Sequence, residues 1–152
     1  MIAFRKAKMS DVEDLHQLIN DFAGRGVMLP RSRNALYEAL REFTILEDKG
    51  QLIGAGALHI IWDDLAEIRA LAIRINYQGQ SLGRELIDIL LSEAKELEIS
   101  QIFSLTYQKE FFLKCGFQEI SKEKMSPKVW KECINCPKFP NCDEVAMIYK
   151  ER

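Results

Sequence analysis

The spacing of apolar residues changes repeatedly along the chain, and each change marks a predicted element. Ile2 to Lys6 alternates weakly, as a short strand does, and then meets Ser10-Asp11-Val12-Glu13, where Ser10 and Glu13 can each satisfy a free helix-end amide. Val12, Leu15, Leu18, Ile19 and Phe22 follow at helical spacing until Gly24 and Gly26 end the run. After a loop through Met28-Leu29-Pro30-Arg31, Ser32 can cap a second helix reaching about Arg41. Phe43 to Glu47, a turn at Asp48-Lys49-Gly50 and Leu52 to Trp62 predict an antiparallel hairpin, and Leu65 to Ile75 predicts the next strand. Leu82, Leu86, Ile89, Leu90 and Ala94 share one face of a helix over Leu82 to Leu97. Ile102 to Leu105 is a short buried strand, Glu110 to Lys114 a short helix, Gly116-Phe117 turns into another strand, and Val145 to Tyr149 predicts the last. This order implies an α+β layer structure with one mostly antiparallel sheet.

Length and composition narrow the class. The 152 residues, 47% apolar and 29% charged, suit a single domain over 1–152, with a cysteine-containing loop at about 126–143. A formal charge of -2 gives no general attraction to nucleic acid or anionic lipid, so any anion site is local. The start, Met1 to Lys6, has no apolar signal core, and the longest apolar stretch falls short of the roughly 18 residues of a membrane span. The expected location is the cytoplasm, away from membranes. There the four cysteines are thiols or metal ligands before they are disulfides.

The stretch Tyr77-Gln78-Gly79-Gln80-Ser81-Leu82-Gly83-Arg84 carries the most chemistry. A strand that passes through a glycine loop directly into a helix aims several backbone N–H groups at one point, reinforced by the positive end of the helix dipole. Gly79 and Gly83 permit close approach, while Gln78, Gln80, Ser81 and Arg84 add donors with no carboxylate before Glu85. Such a nest suits a pyrophosphate. The same spacing also describes a plain glycine turn opening a helix.

Gln78 to Gly83 resembles the Q/R-x-x-G-x-G/A acetyl-CoA loop of the GNAT N-acetyltransferases, and the element order is similar over essentially the whole chain to that α+β fold, which implies a mixed, mostly antiparallel central sheet flanked by helices. Ser81 stands where most of those loops have their first glycine, so a side chain must be tolerated there. Gly54-Ala55-Gly56-Ala57-Leu58-His59 followed by Trp62-Asp63-Asp64-Leu65-Ala66-Glu67-Ile68-Arg69 resembles a segment of the short, stand-alone N-acetylglutamate synthases. Met28 to Arg33 is similar to their L-x-x-R-S segment, and Ser104-Leu105-Thr106-Tyr107 with Phe111-Phe112 and Cys115-Gly116-Phe117 to another. The match of four separated segments in order is specific where the loop alone is not.

The resemblance implies direct attack of an amine on the thioester of acetyl-CoA, with no covalent cysteine intermediate. It implies that Leu71, Ala72 and Ile73 line the acetyl and pantetheine, where the fourth strand separates from the fifth, and that Gln78, Gly79, Gln80, Ser81, Leu82, Gly83 and Arg84 hold the pyrophosphate. Strand alternation puts Glu67, Arg69, Leu71 and Ile73 on one face, which makes Glu67 the candidate general base, directly or through water; a structural pair with Arg69 is the alternative. Phe112 occupies the place of a tyrosine acid in many relatives, which leaves Thr106 and Tyr107 as candidates to protonate the leaving thiolate. An amino dicarboxylate needs cations at both carboxylates, and Arg31, Ser32, Arg33 and Arg69 are the candidates. His59 is a candidate for orienting substrate, or a structural strand histidine.

Cys133, Cys136 and Cys142 follow a C-x2-C-x5-C spacing that the resemblance does not explain. The first pair suits one soft metal, zinc or an iron–sulfur cluster, with no evident fourth ligand; reduced thiols in a proline-stiffened loop are the other reading. The implied function is acetyl transfer from acetyl-CoA to the α-amino group of L-glutamate or a similar amino acid, as in arginine biosynthesis. Acetylation of another amine, in a small molecule or a protein, and a non-catalytic CoA-binding regulatory module are the alternatives. A homodimer is compatible with the chain, and the amino-acid kinase domain of longer synthases is expected to be absent.

Overall fold

The hairpin predicted from the Asp48-Lys49-Gly50 turn sits at one side of a seven-stranded sheet. The computed structural model describes residues 2–125, 127, 129 and 144–150. The strands are β1 (Ile2–Lys6), β2 (Phe43–Asp48), β3 (Gln51–Trp62), β4 (Leu65–Ile73), β5 (Gln101–Thr106), β6 (Gln118–Glu119) and β7 (Val145–Lys150). The α-helices are α1 (Val12–Gly24), α2 (Arg33–Glu38), α3 (Leu82–Glu96) and α4 (Lys109–Lys114). The strand order is β1-β2-β3-β4-β5-β7-β6. β1 with β2, β2 with β3, β5 with β7, and β6 with β7 pair antiparallel, and β4 pairs parallel with β5. This is the mixed, mostly antiparallel sheet flanked by helices that the resemblance implies. No helix among the described residues is long and apolar enough to cross a membrane.

The start of α1 differs from the expected capping box. A 3-10 turn, Met9–Asp11, precedes the helix, and Asp11 rather than Glu13 reaches back, its Oδ2 accepting the Lys8 amide at 2.7 Å. The reason lies outside the local sequence. Arg5 on β1 donates through Nη1 and Nη2 to both oxygens of Asp11 at 2.8 Å and through Nε to Glu47 of β2 at 3.1 Å. This charge-assisted fork fixes Asp11, which is 7% exposed, and leaves Glu13 on the open face of α1.

The chain packs as two compact units, one of residues up to Leu58 with Ile68–Ser92, the other of His59–Glu67 with the chain from Glu93 on. In the first, Val12, Leu15, Leu18, Ile19 and Phe22 of α1 pack with Leu36, Phe43, Ile45, Ala55, Ala57 and Ala72. On Gly56, a Cβ would lie 3.0 Å from Leu71 Cδ1, 3.1 Å from Leu86 Cδ2 and 3.3 Å from Leu90 Cδ1, so α3 rests directly on the β3 backbone there. In the second unit, Leu65, Phe103, Met125, Val129 and Ala146 form a separate core.

Candidate active site

The chain leaves β4 two residues before the predicted strand end and is pinned as it goes. The Arg74 amide donates to Ile53 O at 2.8 Å, and Arg74 Nε donates to Leu52 O at 2.9 Å. A 3-10 turn, Ile75–Tyr77, follows, and the Tyr77 hydroxyl donates to Asp48 Oδ2 at 2.8 Å. Gln78, expected to offer a donor to an anion, turns its amide back to Ile73 O at 2.8 Å and so secures the strand end. Gly79 at φ 81 and Ser81 at φ 63 are both left-handed. A Cβ on Gly79 would meet nothing within 4 Å, so the turn is open at that point. Serine thus adopts the conformation that glycine provides elsewhere, which explains how the departure from the glycine pattern is accommodated. Glu85 N donates to Ser81 O at 3.1 Å as the first turn of α3 closes, so the amides of Leu82, Gly83 and Arg84 have no intrahelical acceptor. Those groups, beside exposed Gln80, Ser81 and Arg84, form an anion-receptive helix start.

The backbone of β4 has one irregular position between Glu67 and Ile73. Ala70 stands at φ 53, a left-handed position within the strand that alanine rarely adopts. Ala70 and Ala72 pack on the core of α1, whereas Leu71 reaches the place where Gly56 faces Leu86 and Leu90. The parallel register of β4 with β5 runs through Leu65–Gln101, Ala66–Ile102 and Glu67–Phe103.

The connection from α1 to α2 carries the arginines. Ser32 caps α2 as expected, its Oγ accepting the Ala35 amide at 3.1 Å. Arg33 is held by Glu13, Nε to Oε1 at 2.7 Å and Nη2 to Oε2 at 3.0 Å. That hydrogen bond holds the Glu13 carboxyl below its ordinary range and raises Arg33. Arg31 is half-buried, and its peptide is clasped by Asn20, whose Oδ1 accepts Arg31 N–H at 3.2 Å while its Nδ2 donates to Arg31 O at 3.0 Å. Asn20 escapes a sequence reading because it sits among polar positions of α1. Its one local signal is a poor helix former in mid-helix.

The second unit holds the remaining candidates. Glu67 is half-buried opposite Phe103. Thr106 Oγ1 accepts the Gln108 amide at 2.9 Å, which turns the chain at the end of β5 and leaves its hydroxyl proton to donate elsewhere. Tyr107 is 38% exposed. Phe112 is buried edge-on between Phe111 and Phe117, at centroid distances of 5.3 and 5.0 Å, so its ring is part of an aromatic core. In the first unit Arg69 is half-buried, as is His59 in the second. Cys115 is a buried thiol, and Cys133, Cys136 and Cys142 lie outside the described residues. Among the described residues no cluster of His, Cys, Asp and Glu could hold a metal ion.

The model of the acetyltransferase (GNAT) family matches residues 12–117, from the start of α1 through the helix-start loop to Phe117. The chain belongs to the GNAT acetyltransferase family. It is an N-acetyltransferase, and the family's resemblance in sequence is matched in fold. An uncharacterized N-acetyltransferase of Chlorobaculum tepidum is 36% identical over 144 residues, 95% of this chain and 93% of that protein. An amino-acid acetyltransferase of Mycobacterium tuberculosis is 37% identical over 131 residues, 84% of this chain and 75% of that one. Among solved structures, a Mycobacterium tuberculosis protein in complex with CoA and NLQ superposes with a TM-score of 0.87 at 32% identity, covering 99% of both chains. The N-acetylglutamate synthase of Neisseria gonorrhoeae, complexed with coenzyme A and N-acetyl-glutamate, gives 0.89 at 27% identity, with 100% of this GNAT chain spanning 36% of that longer protein.

Proposed function

We propose that this acetyltransferase moves the acetyl group of acetyl-CoA to the α-amino group of L-glutamate, a reaction of arginine biosynthesis. The observation that carries the reading is the helix start at Leu82 to Arg84, three amides without intrahelical acceptors behind left-handed Gly79 and Ser81. The CoA complexes of the similar proteins, and N-acetyl-glutamate in one of them, support the same cosubstrate and acceptor.

In this mechanism the amides of residues 82 to 84, with Arg84, take the pyrophosphate. The backbone of Leu71, Ala72 and Ile73, just past left-handed Ala70, takes the pantetheine and the thioester carbonyl. Glu67, directly or through a water, accepts the proton that the amine nitrogen gives up. The nitrogen forms its bond to the carbonyl carbon, the C–S bond breaks, and the departing thiolate takes a proton from Thr106 or Tyr107. Arg31, seconded by Arg69 and the Ser32 hydroxyl, pairs with the carboxylates of glutamate. Arg33 acts as a strut through Glu13.

Two variants test the division of labour. Glu67→Gln is expected to lower kcat by about 100-fold or more with little change in KM for acetyl-CoA. Arg31→Ala is expected to raise the glutamate KM by about 10- to 100-fold, the loss of one charged hydrogen-bonded pair. An unchanged kcat in the first or an unchanged glutamate KM in the second removes that role.

A further inference from the structure

Asn20 stands in the third turn of α1, a position where asparagine is a poor helix former. Its carboxamide is fully used. Nδ2 donates to His16 O at 2.8 Å and to Arg31 O at 3.0 Å, and Oδ1 accepts the Arg31 amide at 3.2 Å. The two contacts with Arg31 reproduce what a neighbouring strand would offer, a donor and an acceptor facing one residue's peptide groups. The grip is aimed at the backbone of the residue whose side chain is proposed to meet the substrate.

A second hold lies on the same stripe of α1. Glu13 is seven positions before Asn20, so the two share a helical face, and Glu13 takes both Nε and Nη2 of Arg33. Residues 31 to 33 are therefore fastened to α1 at both ends. The two fasteners differ in kind. Arg33 is held through its side chain at an exposed ion pair, its side chain 55% accessible and that of Glu13 65%, which water and salt screen. Arg31 is held through its peptide by half-buried Asn20, a grip on the backbone rather than on the side chain.

We propose that Asn20 is a positioning residue for the amino-acid acceptor, setting the Cα of Arg31 so that its guanidinium meets the acceptor carboxylate without a prior search by the loop. The proposal rests on the role assigned to Arg31. Pre-setting the loop removes an ordering penalty that binding would otherwise carry, so the effect falls on the acceptor and not on acetyl-CoA.

Asn20→Asp is the sharpest probe, because it keeps size and shape while pointing a carboxylate oxygen at the carbonyls of His16 and Arg31. The variant is assayed for CoA release with L-glutamate, alone and in an Arg31→Ala background, with thermal melts of each. The expected result is an approximately 5- to 10-fold rise in glutamate KM, an acetyl-CoA KM within about twofold of the parent, and loss of the glutamate effect when Arg31 is already alanine, as coupled residues require. An unchanged glutamate KM, equal changes in both KM values, or the same rise in the Arg31→Ala background overturns the proposal. If Arg31→Ala alone leaves glutamate KM unchanged, the Arg31 assignment falls and takes this inference with it; if Arg31→Ala raises KM but Asn20→Asp does not, only the inference fails. Should Asn20→Asp not fold, Asn20→Ser, which retains a donor and an acceptor, takes its place in the same assays, and the same KM pattern supports or overturns the proposal.

Discussion

The Tyr77 hydroxyl donates to Asp48 Oδ2 at 2.8 Å across 29 positions of sequence, tying the turn that precedes the helix-start loop to the end of β2. Arg74, bonded to Leu52 O and Ile53 O, and Gln78, bonded to Ile73 O, complete a set of anchors whose partners lie on β2, β3 and β4 rather than on α3. A loop that must present backbone donors to an anion gains from anchors that do not compete for the same space.

Tyr77→Phe removes that bond and is expected to raise KM for acetyl-CoA about two- to tenfold, the span of one ordinary hydrogen bond, while leaving glutamate KM unchanged. The bond lowers Asp48 and raises Tyr77. Its contribution is therefore lost on the acid side as pH falls through the depressed Asp48 value, and on the alkaline side as pH rises through the elevated Tyr77 value. Steady-state kinetics across that range check both edges, and a Tyr77→Phe enzyme with parental acetyl-CoA KM would remove the anchor role.

Asp11 contributes to the stability of the first unit through its bonds with Arg5 and the Lys8 amide. Its carboxyl lies below the ordinary range because Arg5 donates to it, an effect that outweighs burial. The stabilisation is present above the ordinary carboxylate value of 3.8 and disappears as pH falls through the lowered one. Asp11→Asn is expected to lose about 1.5–3 kcal/mol at neutral pH, with the gap to the parent closing in acid, whereas Ser10→Ala changes stability by no more than about 0.5 kcal/mol. Denaturant melts at neutral and acid pH measure both, and equal losses at Ser10 and Asp11 would contradict the assignment.

Ser81 at φ 63 occupies a conformation that a side chain disfavours by roughly 1 kcal/mol. Ser81→Gly removes that strain but adds freedom to the unfolded chain, so the two effects nearly offset and the acetyl-CoA KM is expected to stay within about twofold. Ser81→Val puts a β-branched residue at positive φ and is expected to lower the melting temperature by about 2–4 °C or more and weaken acetyl-CoA binding. A silent Ser81→Val would mean that the left-handed turn is not needed.

These sites also mark where sequence stops being legible. The helical run of Val12 to Phe22, the hairpin around Gly50 and the strand-to-helix passage at Gly79 all follow from short-range periodicity and turn chemistry, and the fold keeps them. The cap at Asp11 was hidden because Ser10 and Glu13 fit a local rule, while the deciding partner, Arg5, comes from β1. The left-handed backbone at Ala70 has no local signature, since alanine ordinarily avoids φ 53 and the surrounding packing must impose it. β7 pairs with both β5 and β6, a long-range placement that spacing along the chain does not encode. The clasp of Asn20 on Arg31 spans 11 positions and depends on how the intervening loop returns to α1.

The central claim is acetyl transfer to glutamate from a carrier held at the start of α3. Thiol release from acetyl-CoA by the purified chain, followed against a panel of single amino acids and polyamines, tests it most directly. Turnover with L-glutamate well above every other acceptor is the predicted result; turnover with a different amine, or none with any, would contradict it.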